Sequence, residues 1–317
     1  MVKITVVDAV YFDKEQLTKL KSMGEIVIFN DAPKTGSEII SRIGTSDVII
    51  TCWAEITKDA IDKAKNLKMI AVWATGYDHV DIKAAKEKGI IVTNVPNYSK
   101  ESAAEHTFAL ILSIIRNIPQ ADKIVKTGLW GRENLRGIEL QGKTIGIIGT
   151  GNIGSRVVKI ANCFGMKVIA FTKNPSDKRA EKLNVKYVDL NELLQKSDII
   201  TIHVPLNDET EKILGEKQFL IIKRGALLIN TSRGRIIDEK ALIKALRDGR
   251  IAAAGLDVLE KEPPDMDNQL LKMDNVLLTP HCASYTDEAL KRCTDICIKN
   301  IEKFVKGKPL NVINPKA

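Results

Sequence analysis

The sequence predicts an α/β protein in which one parallel-sheet unit is inserted into another. Three observations carry this expectation. Short apolar runs alternate with helical patterns along almost the whole chain. A G-x-G-x-x-G motif, Gly149 to Gly154, stands between a strand and a helix in mid-chain. The last helical pattern is followed by a tail, Pro309 to Pro315, too short for a further domain, so the chain end should return to the first unit.

Residues 2–8 read as a strand, 14–23 as a helix ending at Gly24, 26–29 as a strand, 36–44 as a helix region and 47–51 as a third strand. Residues 57–65 read as a helix, 69–73 as a strand, 81–88 as a helix stopped by Gly89, and 90–94 as a fifth strand. Val95-Pro96 breaks the alternation. A long helix follows over 99–117, with Ser99 as N-cap and Glu101 and Glu105 in its first turns. It should end before Pro119, and its apolar content exceeds one stripe, which predicts burial between domains. A loop with Trp130, Gly131 and Arg132 then leads to the strand 144–148. Beyond the glycine motif come strands at 167–171, 198–203, 226–230, 251–256 and 275–278. Helices are expected at 216–222 and 238–248, and a final one spans 287–305.

The glycine motif has a physical reading. Gly149 permits the tight turn, Gly151 lets a pyrophosphate approach the backbone, and Gly154 lets the helix pack against the strand. Asn152 and Ile153 would offer their N–H groups to the phosphates at the positive end of the helix. A Rossmann-type dinucleotide-binding domain is therefore expected. The acid that holds the ribose hydroxyls of NAD belongs at the end of the second strand, but Thr172 and Lys173 stand there. A hydroxyl and a cation suit a 2′-phosphate, so NADP is expected ahead of NAD. The alternative is NAD held by backbone groups and Thr172.

Composition narrows the class. A chain of 317 residues, 44% hydrophobic and 28% charged, is that of a soluble two-domain protein. The longest nearly apolar stretch, 108–115, is far short of a membrane span, and the N-terminus enters a strand without a signal sequence, so the cytoplasm is expected. The net charge of +8 is dispersed, as in Asp62-Lys63 and Lys86-Glu87-Lys88, which argues against nucleic acid. Five scattered cysteines exclude a disulfide framework, and Cys293 and Cys297 read as buried thiols. Four histidines without ligand spacing imply no metal.

Polar clusters close three predicted strands: Asn230-Thr-Ser-Arg233-Gly-Arg235, Gly255-Leu-Asp257 through Glu262-Pro-Pro, and Thr279-Pro280-His281-Cys-Ala-Ser284. Together with Gly149–Gly154, the 74–81 loop and Ala104-Glu105-His106-Thr107, they make the chain resemble the D-isomer-specific 2-hydroxyacid dehydrogenase family over nearly its whole length. The resemblance implies a smaller flavodoxin-like substrate domain, residues 1–98 and 286–317, into which the dinucleotide-binding domain, 99–285, is inserted. It implies a homodimer, and reduction of small 2-oxoacids to D-2-hydroxyacids with NAD(P)H, or the reverse. Glyoxylate and hydroxypyruvate are favoured, with D-3-phosphoglycerate as the alternative.

It also implies site residues, and their chemistry suits a 2-oxoacid. Arg233 offers a charged fork to the carboxylate and the ketone. His281 is the general acid or base, since imidazole titrates near neutrality, and Glu262 pairs with it. Thr75 and Gly76 hold the substrate carboxylate by backbone N–H groups. Asp257 receives the nicotinamide carboxamide, Val204 and Pro205 line the adenine pocket, and Thr231, Ser232, Ala283 and Ser284 complete the cofactor site, which Thr75, Arg233 and His281 also touch. Trp53, Tyr98 and Trp130 are candidate pocket walls, with a dimer contact as the alternative for Trp130. His79, His106 and His203 read as structural. Phosphite-oxidising relatives place Lys where Thr75 stands, and formate-oxidising relatives place Gln where Glu262 stands. A non-catalytic, cofactor-sensing protein of the same fold is the alternative of another class.

Overall fold

The computed structural model describes residues 2–315. Met1, Lys316 and Ala317, included in the predicted outer domain, lie outside the described residues. The chain forms two compact units, one running up to Tyr98 and resuming at Tyr285, the other spanning Ser99–Ser284.

The first unit holds β1 (Val2–Val6), β2 (Gly24–Ile28), β3 (Val48–Thr51), β4 (Met69–Val72) and β5 (Ile91–Thr93) in a parallel sheet of order β2-β1-β3-β4-β5. This is the flavodoxin-like order. Every residue of β3 and β4 is buried, because a parallel sheet is covered on both faces and its inner strands read as continuous apolar runs. Leu20 of the helix Lys14–Lys21 and Leu290, Cys293, Cys297 and Ile301 of the helix Asp287–Val305 fill one face. Ile39, Ile43, Ile61 and Ala85, from three further helices, fill the other. The tail straps onto β5: Val92 N–H donates to Asn314 Oδ1 at 2.8 Å, Asn314 Nδ2 donates to the Ile90 carbonyl at 2.8 Å, and Ile313 N–H donates to the Val92 carbonyl at 2.9 Å.

The second unit holds β6 (Thr144–Ile148), β7 (Lys167–Phe171), β8 (Lys186–Tyr187), β9 (Ile199–Ile202), β10 (Ala226–Asn230), β11 (Ile251–Leu256) and β12 (Val276–Leu278). The order is β12-β11-β10-β9-β6-β7-β8, all parallel. The chain direction across the sheet reverses between β6 and β9, the switch point at which such sheets bind ligands. The helix Lys100–Ile115 packs Phe108, Leu110, Ile111 and Ile115 against one face, together with Val157, Val158 and Ala161 of the helix Asn152–Cys163. Leu193, Phe219 and Leu242 from other helices cover the opposite face.

Two expectations need correction. The long helix stops at Ile115, and Asn117 takes a left-handed conformation with φ of 51°. Pro119 then lies in the first turn of a new helix, Ile118–Lys126, where its missing N–H costs no hydrogen bond. The sequence assigns no element between the strands 167–171 and 198–203, where helices Asp177–Leu183 and Leu190–Lys196 flank β8. No helix among the described residues is long and apolar enough to cross a membrane.

Candidate active site

The glycine turn follows β6 at the switch point. Gly149 has φ of +93°, and its N–H donates to the Phe171 carbonyl at 2.8 Å. A Cβ on Gly154 would fall on the Gly149 carbonyl oxygen, so the helix can approach the turn only with glycine there. A Cβ on Gly151 would meet nothing within 4 Å, which leaves the space over the turn open. Gly151 caps the helix without a side-chain hydrogen bond, so the N–H groups at Asn152 and Ile153 are not satisfied by a cap. An open turn and an uncapped helix start suit a pyrophosphate. Arg179 adds a cation that the sequence reading missed: its guanidinium donates to the Thr150 carbonyl and to Ser155 Oγ.

At the end of β7, Thr172 is half-buried and Lys173 exposed. Lys173 Nζ donates to both carboxylate oxygens of Glu209, at 2.5 and 2.6 Å. Beyond β9, Val204 is half-buried and Pro205 exposed. His203 Nε2 shares a hydrogen bond of 2.8 Å with Thr201 Oγ1. Burial pushes its imidazole down to about 3, so the ring is neutral at physiological pH. The unfolded chain takes up this proton near pH 6.5 and the folded chain does not, so stability is lost as pH falls from 6.5 towards 3. Acidification to pH 5 is expected to remove about 2 kcal/mol through this residue. Chemical denaturation of the wild type and of His203→Gln across pH 5–7 tests this. Equal slopes for the two proteins would remove His203 as the cause.

The three remaining clusters leave adjacent strands at the same sheet edge. After β10, buried Asn230 accepts from Ser232 N–H at 3.0 Å and donates Nδ2 to the Arg233 carbonyl at 2.9 Å. This fixes the turn that carries Arg233, whose Nη1 donates to the Ser232 carbonyl at 2.8 Å. Thr231 Oγ1 lies 3.1 Å from Thr107 Oγ1. After β11, Glu262 Oε1 accepts from Leu259 N–H at 3.0 Å, while Oε2 lies 2.7 Å from His281 Nδ1. After β12, His281 has φ of 51°, and its N–H donates to the Asp257 carbonyl at 2.8 Å.

Asp257 organises that last loop. The residue is 1% exposed. Oδ1 accepts from Thr279 Oγ1 at 2.6 Å and Cys282 N–H at 2.9 Å, and Oδ2 accepts from Ala283 N–H at 2.9 Å. Burial works to raise this carboxyl, but the hydrogen bonds from His106, Thr279, Ala283 and Cys282 outweigh it and hold the group below its ordinary range. The oxygens assigned to a carboxamide on sequence grounds therefore already grip the backbone beside His281. Ser284 is half-buried next to this anchor.

Thr75 and Gly76 follow β4 in the first unit. The Thr75 hydroxyl donates to the Val95 carbonyl at 2.7 Å, and its own carbonyl accepts from Asn94 Nδ2 at 2.8 Å. The loop after β3 has an anchor that the sequence reading took for the end of a strand. Buried Asp8 accepts N–H bonds from Cys52, Trp53 and Ala54, the last two at 2.6 Å. A polar residue closing an apolar run was the available signal. Tyr98 packs in the first unit's core, whereas Trp53 is 55% and Trp130 91% exposed.

Fold and glycine turn define a dinucleotide-binding α/β protein. A family model described as D-isomer specific 2-hydroxyacid dehydrogenase, NAD binding domain, matches residues 108–283. The chain belongs to that family. It is 44% identical over 317 residues to the D-3-phosphoglycerate dehydrogenase of Methanocaldococcus jannaschii, covering 99% of this chain and 60% of that protein. It therefore spans less than two thirds of that relative's length. It is 40% identical over 304 residues to the hydroxypyruvate reductase of Blautia hydrogenotrophica, covering 93% of this chain and 94% of that one. Among solved structures, an acyclic imino acid reductase in complex with NADPH and D-Arg is 40% identical with a TM-score of 0.90, covering 98% of this chain and 100% of that one.

Proposed function

We propose that this chain is a nicotinamide-dependent oxidoreductase that reduces a small 2-oxoacid to the D-2-hydroxyacid, or runs the reverse reaction. The observation that carries this reading is the 2.7 Å His281–Glu262 pair, on loops from the same sheet edge as Arg233. The cofactor, when bound, supplies or accepts the hydride. With Nδ1 committed to Glu262, the His281 ring exchanges its proton through Nε2 with the substrate oxygen. Arg233 binds the carboxylate and polarises the ketone, doing the work a Lewis acid would do. Thr75 and Gly76 hold the carboxylate by backbone N–H groups. Glyoxylate and hydroxypyruvate are the favoured substrates. D-3-phosphoglycerate is the second reading, supported by the 44% identity to a dehydrogenase of that name. The test is nicotinamide absorbance with a panel of 2-oxoacids in one direction and D-3-phosphoglycerate in the other. No turnover on any member would sink the enzymatic reading.

NADP is proposed as the preferred cofactor. No carboxylate follows β7 in sequence until Asp177, and Thr172 and Lys173 stand at the strand end. The Lys173–Glu209 pair is solvent-exposed, and such pairs contribute only about 0–1 kcal/mol, so a 2′-phosphate can displace Glu209. Running the same panel with both cofactors should give the higher kcat/KM with NADPH, and Lys173→Ala should reduce that ratio. A higher kcat/KM with NADH would overturn the preference.

The homodimer is proposed to form through the segment after the long helix. The helix Ile118–Lys126 buries none of its residues, and Ile118, Val125, Leu129 and Trp130 are exposed in succession. Large apolar side chains exposed in one segment suit an interface. Trp130→Glu is expected to raise the dimer dissociation constant by about 30-fold or more, the scale of a buried aromatic anchor. Sedimentation equilibrium measures it, and an unchanged constant would place the interface elsewhere.

A further inference from the structure

We propose that His106, Asp257 and Cys282 form a capture site for a thiophilic divalent cation such as Zn²⁺, next to His281. The three residues are far apart in sequence but converge in one unit. One ligand atom from each lies within 4.8 Å of the others. His106 Nε2 and Asp257 Oδ1 are 3.4 Å apart. A tetrahedral ion with bonds of about 2.0–2.1 Å has ligand edges of about 3.3–3.4 Å, so two of the three ligands are already at coordination spacing. Both atoms now converge on the Thr279 hydroxyl, at 3.0 and 2.6 Å. That hydroxyl bridges the two atoms and gives way when the ion enters.

The ligand types choose the ion. An imidazole nitrogen and a thiolate favour Zn²⁺, Co²⁺ or Cd²⁺ over Mg²⁺ or Ca²⁺, which take oxygen ligands. The charges balance: the cation meets one carboxylate and one thiolate, and no electron changes hands. The Cys282 thiol proton leaves to the buffer, and His106 binds as the neutral ring with its proton on Nδ1. Backbone N–H groups of Cys282 and Ala283 continue to hold the carboxylate, an outer shell already in place. The His106 side chain is 21% exposed and Cys282 half-buried, so an ion can enter from solvent, with water as its fourth ligand. The site depends on no assumption about the reaction.

Co²⁺ is the probe. The protein carries a second accessible thiol, Cys163, so the titration is made on a Cys163→Ser background. One Co²⁺ per chain should bind with a thiolate-to-cobalt charge-transfer band in the near ultraviolet, and Zn²⁺ should bleach it while Mg²⁺ does not. Cys282→Ser should abolish the band. His106→Gln should keep a thiolate but weaken Co²⁺ binding by at least roughly the 10–100-fold that even an outer-shell partner is worth. Absence of the band on the Cys163→Ser background would overturn the proposal, as would a band that survives Cys282→Ser. So would a Co²⁺ affinity indifferent to His106→Gln in protein whose circular dichroism shows it folded.

Discussion

His281→Ala is expected to lower kcat by about 10²–10⁴-fold, the range that general acid–base catalysis supplies. The expectation rests on how the ring is held. Glu262 faces Nδ1 at 2.7 Å and is itself fixed by Leu259 N–H at 3.0 Å. The His281 backbone sits at φ of 51°, a conformation that L-residues adopt only when their surroundings impose it, and the Asp257 carbonyl holds its N–H at 2.8 Å. These contacts orient the imidazole, and none of them survives as chemistry when the ring is removed. Initial rates on the best 2-oxoacid give the answer. A variant within a few-fold of the wild-type kcat would take His281 out of the reaction.

Gly154→Ala is expected to damage the fold and the cofactor site together, whereas Gly151→Ala should damage only the second. The new methyl of Gly154→Ala falls on the Gly149 carbonyl. Backbone cannot rotate away as a side chain can, so the helix Asn152–Cys163 must shift at its start. Overpacking of this kind costs about 1–3 kcal/mol, or roughly 2–12 °C in Tm for a unit of this size. The same shift moves the N–H groups proposed to hold the pyrophosphate, and cofactor affinity should fall at least about tenfold. At Gly151 the methyl enters open space, so Tm should hold while the cofactor meets the methyl. Calorimetry and cofactor titration on both variants separate the effects. Equal Tm values for Gly154→Ala and wild type would show that the turn is more pliable than its contacts imply.

All strands but β8 were legible because they are short apolar runs separated by glycine or polar turns, as in Thr144–Ile148 and Val48–Thr51, whereas Lys186–Tyr187 is too short to show such a run. The site loops were legible because polar residues such as Asn230, Asp257 and His281 close or follow apolar strands. Partners were harder to read, since they come from elsewhere in the chain. Lys173 looked like a lone cation, but Glu209 comes to it from another loop. Asp257 reads as a carboxamide contact, and the hydrogen bonds its oxygens also receive come from residues beyond the next strand. Helix Asp177–Leu183 escaped notice because it buries only Leu183, so it shows no apolar stripe. Pro119 was read as a stop because a proline that opens a helix and one that follows a helix look alike until Asn117 turns left-handed.

The strap of Asn311–Asn314 across β5 bears on how the protein is made. One face of the first unit's core is incomplete until Leu290, Cys293, Cys297 and Ile301 join Leu20, and β5, paired with β4 on one side, meets Val312 on the other. Those residues follow the inserted unit in sequence, so they are synthesised after it. The inserted unit, contiguous from Ser99 to Ser284, can condense while synthesis continues. The strands β1–β5, synthesised before the inserted unit, thus gain the rest of their core only after it.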